Sequence, residues 1–139
     1  MTKEELTNEL FDAIDANDLI KIKKLIDDGA DINNLKKMNG LISPLFHTLT
    51  NNKLEVAKLL IENGADVDAI FGNGERPLHM TALGNYLEIA NLLVDRVADI
   101  NALNKFEHTP LDYANTPEMY ELLIQHGGIK TEQEEVIEE

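Results

Sequence analysis

The sequence predicts an all-α solenoid, a stack of helix pairs that repeats with a period of about 33 residues. Pro44, Pro77 and Pro110 follow one another at intervals of 33 residues, and each of them precedes a leucine. A second marker, Gly-Ala-Asp or a variant of it, occurs in the same phase at residues 29–31, 64–66, 97–99 and 127–128. Two independent markers that share one period are typical of a chain built from copies of a single unit.

Alignment on both markers divides the chain into four units, at residues 4–36, 37–70, 71–103 and 104–130. Together they form one predicted domain, residues 1–130, which is followed by an acidic tail, residues 131–139. A chain of 139 residues is long enough for one such domain. The loop after the first unit is two residues longer than the next one, and the fourth unit is three residues shorter than the third between its markers. A solenoid tolerates such differences in its loops and its terminal units.

Each unit is predicted to consist of a helix, a tight turn, a second helix and a loop. The repeated proline suits the first turn of a helix, because the N–H that it lacks would have no partner there. The second helices, such as residues 54–61 and 87–94, are apolar on more than one side. Helices of this kind must be covered on several sides, as stacking on neighbouring units would do.

The turns are predicted from residues that accept a positive φ angle. Asn17, Asn52 and Asn85 occupy the same repeat position between two helices, and asparagine accepts a positive φ at the least cost after glycine. Gly64 and its equivalents are predicted to end the second helices in the left-handed conformation, a position for which Val97 is poorly suited. The stretches after Ala-Asp predict hairpin-like loops that lead to the next proline.

These motifs resemble the unit of ankyrin repeat proteins, which reads approximately D-x-x-G-x-T-P-L-H-x-A-A-x-x-G-h-x-x-h-h-x-x-L-L-x-x-G-A-D-h-N-A. The third unit contains GNGERPLHMTALGNYLEIANLLVDRVADINAL, and the second contains SPLFHTLTNNKLEVAKLLIENGADVDAI. The fourth keeps HTPLDYA and ELLIQHGG, and the first keeps NDLIKIKKLIDDGADIN, as N-terminal capping repeats of the family do. The resemblance covers residues 4–130 and implies stacked antiparallel helix pairs whose hairpin loops project to one side.

The chain departs from this pattern at two motif positions. The motif histidine is present only as His79, because Phe46 and Asp112 replace it in the second and fourth units. The motif threonine is present only as Thr109. In the family these side chains form local hydrogen bonds, so the resemblance implies altered links in the second and third units.

The composition offers little chemistry. The chain has no cysteine, which excludes a disulfide framework, thiolate metal sites and a cysteine nucleophile. No pair of its four histidines has the i, i+4 spacing of a metal site, so we expect no metal and no cofactor. A solenoid of this size offers grooves rather than the enclosed, dry site that raises a carboxylate pKa, so we expect no enzyme activity. A hydrolase that uses surface carboxylates stays open as a third hypothesis.

The formal net charge is −14 at pH 7, and five of the carboxylates lie in the last eight residues. An acidic surface repels nucleic acids and anionic membranes and favours a basic partner. The charge is equally compatible with a role in solubility alone. The sequence contains neither an apolar run typical of a signal peptide nor a membrane-spanning stretch, so we expect a cytoplasmic protein, and we expect a monomer.

The resemblance implies a non-catalytic module that binds a protein partner through its concave face, built from the hairpin tips and from exposed positions of the first helices. The partner-binding residues expected on this basis are Ile42, Asn73, Glu75, Leu83, Phe106 and His108. For Phe71 and Phe106 two interpretations are open: each ring anchors a partner, or it folds onto the neighbouring unit. The alternative function is that of an acidic inhibitor or immunity-type protein that blocks the basic site of a nucleic-acid enzyme.

Overall fold

The computed structural model describes residues 1–38, 40–72, 74–96 and 98–131. In these ranges the chain forms seven α-helices: α1 (Lys3–Asp15), α2 (Leu19–Asp27), α3 (Pro44–Thr50), α4 (Leu54–Glu62), α5 (Pro77–Gly84), α6 (Leu87–Asp95) and α7 (Pro117–Gln125). Two short strands, β1 (Lys36–Met38) and β2 (Gly40–Ile42), pair antiparallel in the loop between the first two units. The predicted all-α solenoid is confirmed. No helix in the described ranges is both long and apolar enough to cross a membrane.

The first helices pack in chain order, α1 on α3 and α3 on α5, and the second helices do the same, α4 on α6 and α6 on α7. The core lies between these two layers. Its buried members on the second helices recur at equivalent positions: Val56 and Leu60, Ile89 and Leu93, Met119 and Leu123. Each unit therefore buries its apolar surface against its neighbours rather than within itself.

The predicted left-handed turns are confirmed. The asparagines between the helices have φ angles of 56° at Asn17, 57° at Asn52 and 60° at Asn85. The glycines that follow the second helices have φ angles of 101° at Gly29, 102° at Gly64 and 93° at Gly127. Val97, the fourth member of that glycine position, lies outside the described residues.

A ladder of hydrogen bonds joins the loops of neighbouring units. The Asn33 side chain donates to the carbonyl of Gly64 at 3.3 Å and accepts the N–H of Asp66 at 2.8 Å. Asn101 forms the same pair of bonds between the third and fourth units, at 3.0 and 2.8 Å. Asp68, at the equivalent position, accepts one backbone N–H of the third unit at 2.9 Å, and a carboxylate cannot donate the second bond. The loops thus fix the spacing between units.

The fourth unit differs from the others in its first helix. Its three missing residues shorten this segment to one 3-10 turn, Pro110–Tyr113, whereas α5 extends over eight residues. The chain leaves the turn at Ala114 in an extended conformation.

The loop tips of the third and fourth units, residues 71–75 and 104–108, are closed turns rather than paired strands, each closed by a backbone hydrogen bond between its first and last residue. We call them the third tip and the fourth tip.

Candidate functional site

The first helices expose one row of side chains whose chemistry changes along the stack. Asp12, His47, Met80 and Tyr113 occupy the same repeat position, and Asp15, Thr50 and Leu83 follow three residues later. We call these seven residues the first-helix face. Asp12, Asp15, Thr50 and Leu83 are exposed, and the other three are half-buried. The face is therefore acidic in the first unit and apolar in the third.

The acidic part of this face is tied to the second unit. Nε2 of His47 lies 2.7 Å from a carboxylate oxygen of Asp15, and the His47 ring packs 5.4 Å from the ring of Phe11. The Lys53 ammonium donates to the backbone carbonyl of Asp15 at 3.2 Å. The Lys53 ammonium thus lies beside the backbone of Asp15, and more than half of the Asp15 side chain is exposed.

Asn104 organises the fourth tip. Its side-chain oxygen accepts the backbone N–H groups of Phe106, at 2.9 Å, and of His108, at 3.0 Å. Its side-chain nitrogen donates to the Tyr113 hydroxyl at 2.8 Å and to a Glu75 carboxylate oxygen at 2.9 Å. Because Asn104 is buried and bonded through both ends of its amide, it holds the tip in one conformation and joins it to the third tip.

The two histidines of this region have different roles. His79 is buried; its Nδ1 accepts the backbone N–H of Arg76 at 3.0 Å, and its Nε2 donates to the carbonyl of His108 at 2.9 Å. These two bonds require the tautomer with the proton on Nε2. Nδ1 of His108 lies 3.1 Å from the Tyr113 hydroxyl, and the two rings meet edge to face at 5.5 Å. His79 is structural, whereas His108 keeps part of its ring on the surface.

Phe71 and Phe106, for which two interpretations were open, differ in burial. Phe71 is only 9% exposed, and its ring lies 4.4 Å from the ring of Phe46 in the preceding unit. Phe106 is 56% exposed at the fourth tip, with its ring 6.3 Å from that of His108. The ring of Phe71 therefore folds onto the neighbouring unit, whereas the ring of Phe106 remains on the surface, and its role as an anchor for a partner stays a prediction.

The structure brings three of the expected partner-binding residues together, since Glu75, Phe106 and His108 all contact Asn104. Leu83 is 59% exposed on α5, and its carbonyl accepts a hydrogen bond from Asn115 in the fourth unit at 3.2 Å. Ile42 is half-buried on β2, opposite Lys36, two units away from the fourth tip. Asn73 lies outside the described residues.

The carboxyl of Asp112 fastens the end of the described chain. Partial burial opposes its ionisation, but hydrogen bonds from Thr131 and Thr109 outweigh that effect and lower the pKa of Asp112 below its ordinary value. The N–H of Thr131 donates to it at 2.9 Å, the Thr131 hydroxyl also donates to it, and the N–H of Thr109 donates at 2.8 Å. Asp112 thus replaces the motif histidine with a different link, one that holds the chain after α7.

Asn104, Asp112 and Tyr113 were not among the functional residues that the sequence predicted. Asn104 could have been found, because it stands where the repeat pattern begins with aspartate, two residues before Phe106. The buried amide meets the same need for an acceptor inside the turn. The described residues contain no group of three His, Asp or Glu side chains that could hold a metal ion.

The fold and the tip together define a class of protein: a repeat scaffold that presents side chains from rigid loops and open helix faces. The family model for ankyrin repeats, in three copies, matches residues 10–104. The chain belongs to the ankyrin repeat family. Ankyrin repeats are generally protein–protein interaction modules and are typically non-catalytic. A search of curated proteins finds no match to this chain.

Proposed function

We propose that this chain is a non-catalytic module that binds a partner protein through the fourth tip and the apolar part of the first-helix face. The observation that carries the proposal is the exposed ring of Phe106 on a tip whose backbone Asn104 holds by two hydrogen bonds. Aromatic side chains on well-ordered backbone are the common type of binding hot spot.

The tip is already ordered without a partner, so binding there costs little conformational entropy. Asn104 links the tip to Tyr113 and Glu75, and the carbonyl of His108 is held by His79. A partner would find Phe106 as an apolar contact and His108 beside it as a hydrogen-bonding group. The entropy saved by this order would appear as affinity.

The surface around the tip points to the chemistry of the partner. Leu83 and Met80 extend the apolar contact along α5, and the carboxylates of Asp12 and Asp15 lie farther along the same face. A partner segment with an apolar residue at one end and basic residues at the other would match this order. The net charge of −14 would speed its association at low ionic strength.

The test is capture of partners from native lysate, followed by affinity measurement for each partner recovered. The variant Phe106→Ala combined with Leu83→Ala should lose the specific partner or weaken it by at least about ten-fold, the scale of a hot-spot loss. Ile20→Ala is the matched control, because Ile20 is a strongly exposed apolar residue on α2, outside the proposed surface. If the double variant recovers the same partners with equal affinity, the proposed surface is wrong.

The alternative is an acidic inhibitor or immunity-type protein that occupies the basic site of a nucleic-acid enzyme, and the net charge favours it. Such a complex would weaken steeply with salt, and DNA or RNA would compete with it, because the protein would replace phosphates. The surface proposed above has apolar contacts as well as charges, so its affinity should fall less steeply with salt, and nucleic acid should not compete with the partner. Competition with DNA or RNA, measured beside a salt titration of the captured complex, separates the two functions.

A further inference from the structure

The last second helix exposes a face that its equivalents bury. Ala57 on α4 and Ala90 on α6 are fully buried, and both stand at the same repeat position. The residue at this position on α7 is Tyr120, which is 42% exposed. One turn later Ile61 is buried on α4 and Val94 is half-buried on α6, whereas their equivalent Ile124 is 44% exposed. We call the surface of Pro117, Tyr120 and Ile124 the C-terminal face.

This face is not a copy of the internal interfaces. Alanine at positions 57 and 90 lets the following helix approach closely, and a tyrosine ring at position 120 occupies that space. Thr116 and Glu121 line a shallow groove beside Tyr120 and Ile124. The Lys130 ammonium lies 5.9 Å from the centre of the Tyr120 ring. The face thus retains the groove of a helix-packing surface but has a large aromatic residue at its centre.

We propose that the C-terminal face is a second docking surface, and that its occupant is an amphipathic α-helix of a partner protein with basic residues beside its apolar stripe. The equivalent faces of α4 and α6 are both covered by a helix, which indicates the shape of the occupant. The charge indicates its chemistry, since Glu118 and Glu121 are exposed on α7 and the chain carries a net charge of −14. A basic helix edge is complementary to such a surface.

The same charges argue against two other occupants. A second copy of the chain would bring two molecules of net charge −14 together, with Glu118 and Glu121 of each near the interface. Residues 132–139 of the same chain carry five glutamates, which Glu118 and Glu121 would repel. The two occupants are therefore alternatives that the experiment must be able to detect.

The experiment titrates the full-length, isotope-labelled chain with a synthetic peptide of about 18 leucines and lysines arranged at the helical period, roughly five turns. We expect amide shifts in the NMR spectrum at residues 114–124. A peptide with glutamate in place of lysine is the charge control. Equal binding of that control would overturn the basic occupant, and shifts confined to the fourth tip would overturn the second surface.

Variants locate the contact. Tyr120→Ala with Ile124→Ala should weaken the lysine peptide by at least about ten-fold, the scale of a lost hot spot. Ile20→Ala should leave its affinity unchanged. Both Tyr120 and Ile124 are partly exposed, and circular dichroism checks that the variant is folded. Equal affinity for the wild type and the double variant would overturn the proposal.

Three further measurements separate this surface from the alternatives. Phe106→Ala should not alter peptide affinity, so the proposed function and this inference can fail independently. Val136→Ser with Ile137→Ser in the full chain should leave peptide affinity unchanged; an increase of about ten-fold would identify the chain's own tail as the occupant. Sedimentation should show a monomer, and a dimer that the Tyr120 and Ile124 substitutions abolish would identify a second copy as the occupant.

Discussion

The two end units of the solenoid close the same fold with different chemistry. On α2, Lys21 and Lys24 stand at the repeat positions of Val56, which is buried, and Leu59, which is half-buried. Lys21 pairs with Glu9 at 3.1 Å, and Lys24 lies 3.7 Å from Asp28. At the other end, Tyr120 and Ile124 leave apolar surface in contact with solvent. The first end thus has charged side chains at these two positions, and the last end has exposed apolar side chains on α7.

The comparison of the two ends shows that the polarity of an end and its stability come from different interactions. Exposed ion pairs contribute about 0–1 kcal/mol each, so the pairs on α2 make the end polar more than they hold it together. The C-terminal end is held by its core instead, through the fully buried side chains of Leu111, Met119 and Leu123. Contiguous exposed apolar side chains on a protein surface are typical of interaction sites, and those on α7 are the basis of the second docking surface proposed above.

The largest effect should come from removing the last unit, residues 104–139. This deletion would expose the apolar sides of α5 and α6, because units stabilise one another through shared interfaces. We expect a loss of more than about 3 kcal/mol in unfolding free energy, or aggregation, as judged by thermal melting and sedimentation. Leu123→Ala in the full chain is the milder version, with an expected cost of about 2–5 kcal/mol. A truncated chain that stays monomeric and melts unchanged would contradict the dependence between units.

A smaller effect on stability should distinguish the third tip, which packs against the next tip, from the fourth tip. Gly74 and Glu107 occupy the same turn position, with φ angles of 74° and 61°. A Cβ atom added at Gly74 would lie 2.9 Å from the backbone nitrogen of Lys105 in the next tip, besides requiring a left-handed conformation. Gly74→Ala should therefore destabilise the protein by about 1–3 kcal/mol.

Glu107→Gly is the matched substitution, because it relieves the left-handed strain of a non-glycine residue. We expect it to stabilise the protein by about 0.5–1 kcal/mol. Chemical denaturation measures both values. If the two substitutions shift stability in the same direction, the internal tip and the terminal tip are not constrained as the packing indicates.

The hydrogen bonds that the Asp112 carboxylate accepts from Thr109 and Thr131 should make stability depend on pH. The folded-state pKa of Asp112 is lowered, so its stabilising contribution is complete above the unfolded-state pKa of about 3.9 and is lost as pH falls through the lower folded-state pKa. Asp112→Asn should cost about 1 kcal/mol at pH 7, where it weakens the hydrogen bonds from Thr109 and Thr131.

The variant should also lose less stability than the wild type when the pH falls from about 5 to 2, because it lacks this carboxylate. Urea denaturation at several pH values measures both the cost of the substitution at pH 7 and the loss of stability at low pH. Parallel stability curves for the two proteins would show that Asp112 does not contribute to acid sensitivity.

The smallest change in stability should come from making the first end resemble the last. Lys21→Ile restores an apolar residue at the position of Val56 and should shift stability by less than about 0.5 kcal/mol, because it removes only an exposed pair. It should promote self-association, which light scattering detects. Lys23→Ile removes the same charge at a position that is polar in the next two units. If both variants self-associate equally, the cause is the loss of a positive charge rather than the apolar residue at the position of Val56.

Several features of the fold followed from the sequence because their causes are local. The left-handed asparagines at 17, 52 and 85 are confirmed, since a two-helix turn requires a positive φ whatever packs around it. The proline at the start of each of α3 and α5 is likewise explained within its own helix turn. The period of the repeat then predicted how the units stack.

Other features were decided by contacts between units. The sequence left the fates of Phe71 and Phe106 open, and the structure separated them because Phe46 of the preceding unit offers a ring to Phe71. The buried Asn104 that organises the fourth tip was not predicted, because its four bonds depend on Tyr113, Glu75 and two backbone groups that meet only in the folded tip. The partner-binding role of Ile42, Glu75, Leu83, Phe106 and His108 stays a prediction.

By itself the sequence determined the fold class and the residues that shape each turn, because a repeat period and a φ preference are properties of the chain. Only the tertiary structure decided which apolar side chains remain on the surface. Burial depends on whether a neighbouring unit covers a position, so Ala90 is enclosed and its equivalent, Tyr120, remains partly in solvent.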